Sequence, residues 1–539
     1  MQSKTGKSWK KLLAVLLCAA LTAGAFATPA AAAEKPSAAM GAVYSVGDWA
    51  LKGLLKLITV LMPQPNTPCE FPESKNFFPG DSQFLPVDPA KTTWELGFAQ
   101  RDMTSGVDIF DGNHYVTGGL APFSKRNPTD VLDEPTARIT VLDDKTGRGL
   151  VAFVSIDAFG ITSADVANIR DAVVNTVPWK TFRSINVSAL HQHSVIDTLG
   201  MNGMLAEALF LNPLANLTGL FQPFSGKNPA FMKNLSALIA DAAKEAVGNL
   251  EPGQLLYSKV DVADFINDKR DPQKIDPYFH RLRFVPTNAA SSETWLTNVA
   301  IHTTGAGTDG LVVTADFPAY IAKEVWEKKH ANFQMINGAQ LAIGINYGCD
   351  DWPDGDRYEA LQVYGRALAQ KLINIPAAQE QTVPAMLNFS AKEFVIPIDN
   401  PLHILFFRTR MIESTCRKTD LLGLKLEVKT EVGYMEIGDQ LAVALVPGEL
   451  DPGIAFGGGL SAEDSWQGWD WEFTSMQETV GSRELLVFGL TNDQIGYIIL
   501  PNDIGNLIAF GNEEVNAAST KSADLLLAAF QQTLSGVKR

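Results

Sequence analysis

Residues 138–193 read RITVLDDKTGRGLVAFVSIDAFGITSADVANIRDAVVNTVPWKTFRSINVSALHQH, and their pattern decides the fold. Arg138 to Leu142 is a β-rich run that turns at Asp144-Lys145-Thr146-Gly147 into a second run, Leu150 to Ile156, which predicts a hairpin. Ser163 is placed to cap a helix reaching about Val177, because Val166, Ile169 and Val173 recur at helical spacing. Ile185 to Leu190 is again an apolar strand. A strand, a helix and a further strand in this order make a right-handed crossover between parallel neighbours.

The alternation continues downstream. Strand Trp295 to Ile301, a helix Phe317 to Lys329 behind Asp316 as its cap, strand Ala339 to Ile345 and helix Arg357 to Ile373 repeat the unit. Strands Leu441 to Val446 and Glu484 to Leu490 and a helix near Ser522 to Leu534 follow. The expected class is α/β, with a mixed, largely parallel β-sheet core flanked by helices in a single large domain over residues 94–539. Ahead of it, residues 34–93 divide into an amphipathic stretch, Ala42 to Met62, and a Pro-rich linker, Pro63 to Pro72. Asp48, Lys52 and Lys56 give that stretch a thin polar face, which predicts a helix docked on the body, with peripheral membrane contact as the rival placement.

Lys4, Lys7, Lys10 and Lys11 precede an apolar run from Leu12 to Leu21, and small residues follow around Ala27 and Ala33. Residues 1–33 therefore read as a signal peptide, and the mature chain as exported, periplasmic or extracellular. Removing them takes away those four lysines and no acid, so the formal charge falls from −16 to −20. Such a surface repels nucleic acid. A hydrophobic share of 46% over 539 residues allows a large buried core. Cys18 leaves with the signal, and Cys69, Cys349 and Cys416 allow at most one disulfide, so no Cys-rich metal knot is expected. No protein partner is inferred.

Three apolar strands end in residue types that bind metal. Leu190 runs into His191-Gln192-His193-Ser194, Ile301 into His302, and Val446 into Pro447-Gly448-Glu449. Ligand sites in open α/β sheets form beyond the carboxyl ends of strands, where side chains from distant segments meet. Two neutral imidazoles and a carboxylate are a sufficient protein set for a catalytic zinc that keeps one position open. The chain has only seven histidines, and three of them stand at strand ends where solvated surface positions are not expected. His191 and His193 lie two apart, so in extended backbone both rings face one way, and one can hold metal while the other meets a substrate oxygen. Gly200 to Leu211, then Leu214, Leu217, Leu220, Phe221 and Phe224, are rich in Met, Leu and Phe. They read either as the lining of an acyl-chain pocket or lid, or as core.

Five segments in this order resemble the neutral/alkaline (non-lysosomal) ceramidases: Val154-Ser155-Ile156-Asp157, Leu190 to Ser194, Ala300-Ile301-His302-Thr303-Thr304, Val446 to Glu449, and Gly489-Leu490-Thr491-Asn492-Asp493. The likeness runs from about Trp94 to the C-terminus, over that family's catalytic domain. It implies zinc on His191, His302 and Glu449, with His193 beside the substrate oxygen, and cleavage of a ceramide-like lipid amide to fatty acid and amine. Asn267 and Arg270 look like the family's Asn-Arg segment near the substrate. Two departures stand out. Gln494 occupies the place of a further tyrosine ligand, which Tyr497 could replace, and Trp352 stands where an active-site serine would be, placing it as a substrate contact. The family's separate C-terminal β-domain is not expected here.

The function expected is therefore zinc-dependent hydrolysis of a lipid amide. Asp157 is the candidate for the acid that protonates the leaving amine, while Asp316, at a comparable position, is expected to cap its helix. The alternatives are a metallohydrolase of the same fold acting on another amide or an ester, a catalytically inactive lipid-binding homologue, and an exported structural protein.

Overall fold

Eight strands build the larger of the two main sheets: β1 Thr93–Asp102, β2 Thr136–Asp143, β3 Leu150–Ile156, β4 Phe182–Ala189, β5 Glu251–Asp261, β6 Tyr278–Pro286, β7 Thr294–Val299 and β8 Asn332–Asn337. They run in the order β8-β7-β6-β5-β1-β2-β3-β4, with Gln381–Val383 added beside β5. The computed structural model describes residues 38–61, 67–118, 126–202, 205–346, 355–507 and 513–538. The expected signal peptide, Cys349 and Trp352 lie outside the described residues.

The predicted hairpin is β2–β3, and the predicted crossover runs from β3 through helix Ser163–Thr176 to β4, with Ile156 opposite Ala189 in a parallel pair. Thr162 caps that helix instead of Ser163, accepting from the Asp165 N–H. β7 and β8 form the second parallel pair, across helix Phe317–Lys329. Every other neighbour along the sheet is antiparallel. The sheet is mixed and flanked by helices as expected, yet its parallel share is smaller than the reading "largely parallel". Short links such as residues 287–293, between β6 and β7, return the chain beside itself, which only antiparallel pairing permits.

The partner of β7 also differs from expectation. Of the strand predicted over Ala339 to Ile345, only Ile343–Ile345 is extended, and β8 lies upstream in Asn332-Phe-Gln-Met-Ile-Asn337. Its polar residues break the apolar pattern, but the chain buries and satisfies them. Gln334 donates to the Phe153 carbonyl at 2.9 Å, and Asn337 donates to the Ile301 and Leu190 carbonyls at 2.9 and 3.2 Å.

A second sheet, β9 Leu387–Ile398, β10 Leu426–Ile437, β11 Leu441–Leu445 and β12 Glu484–Phe488, stacks on the first. Trp94, Leu142, Val151 and Phe153 from one sheet share a core with Met435, Val443, Leu445 and Phe488 from the other. Helices Ser163–Thr176 and Pro229–Gly248 pack on the far face of the first sheet, and Ala38–Leu61, Pro401–Thr409 and Ser522–Ser535 on the far face of the second. Both faces of β3 are thus covered, which is why all seven of its residues are apolar or buried and the two-residue alternation is lost.

The two sheets are locked together at one end. Asn298 on β7 donates to the Val487 carbonyl on β12 at 2.8 Å. Asn492, just past β12, accepts from the Val187 N–H at 2.9 Å and returns its own N–H to the Val187 carbonyl at 2.7 Å. Gly489 crosses Gly338 so closely that a Cβ would sit 2.4 Å from the Gly338 carbonyl oxygen, so glycine is required there. The carboxyl ends of β4, β7, β11 and β12 are thereby brought to one place.

Candidate metal centre

His191 follows β4, His302 follows β7, and Glu449 follows β11. Glu449 Oε2 lies 2.9 Å from His302 Nε2 and 3.2 Å from His191 Nε2. All three side chains are buried; Glu449 and His191 are 3% and 1% exposed. The His193 ring joins them, since one nitrogen from each of the three imidazoles falls within 4.8 Å of the others.

The backbone sets the tautomers. His191 Nδ1 lies 2.7 Å from the Phe159 carbonyl, and His302 Nδ1 lies 3.0 Å from the Ile343 carbonyl. A carbonyl only accepts, so each Nδ1 carries the proton and each Nε2 presents a lone pair. Those lone pairs point at a carboxylate oxygen that also only accepts, and Glu449 Oε2 has no hydrogen-bond donor. Burial holds the His302 imidazole below its ordinary proton affinity despite Glu449. Two imidazole nitrogens converging on one buried carboxylate oxygen at 2.9–3.2 Å fit a divalent cation.

Two further expected ligands reach the same point. Gln494 Nε2 donates to Glu449 Oε1 at 3.0 Å, leaving its own Oε1 buried without a donor. The Tyr497 hydroxyl stands 3.4 Å from His302 Nε2, on the short strand Tyr497–Ile498 that pairs Glu449–Leu450. Burial, and then Glu449, push its phenol well above the usual range. Tyr497→Phe is expected to lower divalent-metal affinity roughly 10- to 100-fold, the effect typical of a group supporting a metal site, with the fold intact. A competition titration with a chromophoric chelator measures it, and an unchanged affinity removes Tyr497 from the site.

His193 stacks edge-on against Phe159, with ring centroids 4.8 Å apart, and neither of its ring nitrogens has a hydrogen-bond partner among the described residues. Burial, with His191 and His302 next to it, holds it neutral. The surrounding backbone is strained: His191, Ala342, Leu490 and Asn492 all have positive φ, between 50° and 67°. Non-glycine residues in this region cost about 1–3 kcal/mol each and gather at functional sites.

The remaining candidates stand elsewhere. Asp157 is fully buried, but Arg138 Nη1 lies 2.9 and 3.0 Å from its two oxygens, the Thr136 N–H donates to it at 2.8 Å and Gln192 Nε2 at 3.0 Å. Its lone pairs are committed to that ion pair, so it anchors the His191-Gln192-His193 turn and does not face the three ligands as a free acid. Arg270 is likewise engaged, by Asp503 at 2.6 Å and Glu514 at 3.4 Å. Asn267 is exposed, on a short strand opposite Gly344. Asp316 caps its helix as expected, accepting from the Phe317 N–H. Leu214, Leu217 and Leu220 face solvent and line no pocket at the metal centre.

Sequence reasoning missed Lys269. Its ammonium is near enough to depress the proton affinity of His193 and His302, and it lies over Gly344, beside the carbonyl that holds His302. A single lysine in a surface loop carries no signal of that position. Phe159 and Ile343 were missed because they act through main-chain oxygens.

No protein-family model matches the sequence, and no curated protein matches it either. Solved structures do match. Neutral ceramidase from Pseudomonas aeruginosa superposes with a TM-score of 0.59 at 14% identity, over 83% of this chain and 75% of that one. A ceramidase complexed with C2 gives a TM-score of 0.58 at 13% identity, over 83% and 76%. The chain has the fold of the neutral ceramidases.

Proposed function

We propose that the protein is a zinc-dependent hydrolase of a lipid amide, with ceramide the first substrate to test. The observation that carries this reading is the convergence of His191 and His302 Nε2 on one Glu449 oxygen, at 3.2 and 2.9 Å, at the strand ends of a ceramidase fold. These three residues, with Tyr497 or Gln494 as a further ligand, would hold the ion. Bound there, zinc supplies Lewis acidity that polarises a scissile carbonyl and acidifies an attacking water.

The chain's own groups do the rest. His193, neutral and unpartnered, offers one ring N–H to the carbonyl oxygen as negative charge grows on it, and that donor is already aimed in a buried site. Phe159 covers two of the imidazoles, with its ring 4.4 Å from that of His191, and keeps bulk water off them. Tyr497 keeps its proton, with its hydroxyl 3.4 Å from His302 Nε2.

Elemental analysis of the purified full chain should find one zinc per protein. Hydrolysis of an N-acyl sphingoid base should vanish on dialysis against a chelator and return with zinc. A simple N-acyl amine and an acyl ester, run in parallel, separate ceramide from other acyl substrates. Protein that retains no metal and cleaves none of the three sinks the reading.

A further inference from the structure

Helix Pro401–Thr409 is apolar nearly all round, and all nine of its residues are buried. Three segments cover it. Helix Ala38–Leu61 packs on it through Leu55 and Ile58. Helix Leu205–Thr218 is tied to it by Asn212, which donates to the Thr409 carbonyl at 2.8 Å. The turn at Leu421–Leu422 is held by Arg408, which donates to the Leu422 carbonyl at 3.1 Å. The outer sides of these covering segments are apolar as well. Of the eighteen large apolar residues exposed among the described residues, thirteen belong to these three segments and the loop that follows the second. Leu421 is 93% exposed, Leu220 83%, Trp49 77% and Leu217 70%. Concentration on this scale marks an interaction surface.

We infer that this surface docks on an anionic lipid bilayer. Charge selects that occupant. The chain carries 44 basic and 60 acidic residues, yet within 408–429, once Arg410, Arg417 and Lys429 are paired with Glu413, Glu427 and Glu393, Lys418 and Lys425 stand against Asp420, and the Ala38–Leu61 helix adds Lys56 beside its Lys52–Asp48 pair. A basic region bearing apolar side chains is attracted to anionic headgroups while those side chains enter the acyl boundary. Shape agrees, because Leu220 and Leu421 stand on separate turns and project from the surface, where a flat protein interface would need a pocket for each. No helix among the described residues is long and apolar enough to cross a membrane, so the contact is with one face of the bilayer.

The surface adjoins the metal centre. Gly200 lies against the Met411 carbonyl, just past the covered helix, and Leu199 and Gln494 flank Gly160, the neighbour of Phe159. The inference rests on the lipid-amide reading for its purpose, since an acyl chain must leave a bilayer to reach the imidazoles.

Co-sedimentation of the full chain with vesicles of equal parts phosphatidylglycerol and phosphatidylcholine tests it without turnover. The parent should bind these, bind pure phosphatidylcholine less, and release as salt is raised. The triple variant Trp49→Gln, Leu220→Gln, Leu421→Gln should bind roughly tenfold less or worse, having lost three large apolar contacts. Trp179→Gln, an exposed site elsewhere, and His191→Ala should bind as the parent does, the latter separating docking from hydrolysis. Each single variant of the three should show a smaller loss at an unchanged melting temperature. A parent that stays in the supernatant overturns the inference. So does a dimer in light scattering that the triple variant dissociates, which would make the surface a contact between two copies.

Discussion

Glu449→Gln should abolish bound zinc and lower amide hydrolysis by about three orders of magnitude or more, while leaving the protein at least as stable as the parent without metal. The loss follows from removing the anionic ligand of a site whose Lewis acidity drives the reaction. The retained stability follows from geometry. A glutamine keeps the volume, its carbonyl oxygen can still accept from Gln494, and its amide N–H groups would meet the Nε2 lone pairs of His191 and His302. Acceptor repulsion is replaced by hydrogen bonds in a buried place, where each contributes roughly 1 kcal/mol. Elemental analysis, turnover and thermal unfolding in chelator check the three parts. One equivalent of zinc remaining in the variant would mean that Glu449 is no ligand.

Asp157→Ala should behave in the opposite way, damaging the fold first. The Arg138 guanidinium and the Asp157 carboxylate are paired at 2.9 Å, with side chains 7% and 0% exposed. Removing one member strands the other charge away from water, which typically costs about 3–5 kcal/mol. Part of that should return in the double variant Arg138→Met, Asp157→Leu, which deletes both charges but still leaves the Thr136 N–H and Gln192 Nε2 without their acceptor. Urea unfolding of the two singles and the double measures the coupling. Asp157→Asn, if folded, should keep its turnover within roughly tenfold, because the group holds Gln192 and does not touch a substrate. A larger loss in well-folded protein would restore Asp157 as the acid.

The strand-end histidines and Glu449 were legible because chemistry and pattern coincide there: an apolar run that stops at a metal-binding side chain is rare enough to be read from letters. The β3-helix-β4 crossover was legible for a similar reason, as its two periodicities are uninterrupted. β8 was not, since Asn332, Gln334 and Asn337 imitate a loop until the Thr294 hydroxyl and the carbonyls they serve are seen. Stacking of two sheets was hidden too, because a run buried on both faces reads alike in a parallel sheet and in a sandwich. Arg270 looked available for a substrate, and only coordinates reveal Asp503 and Glu514 beside it.

The groups that orient His191 and His302 are peptide oxygens, supplied by positions 159 and 343. No replacement of those two side chains deletes the acceptors. Position 159, whose ring lies against His191 and His193, could therefore be varied by directed evolution without unfastening the imidazoles, whereas Ile343 is tied to the core by its packing.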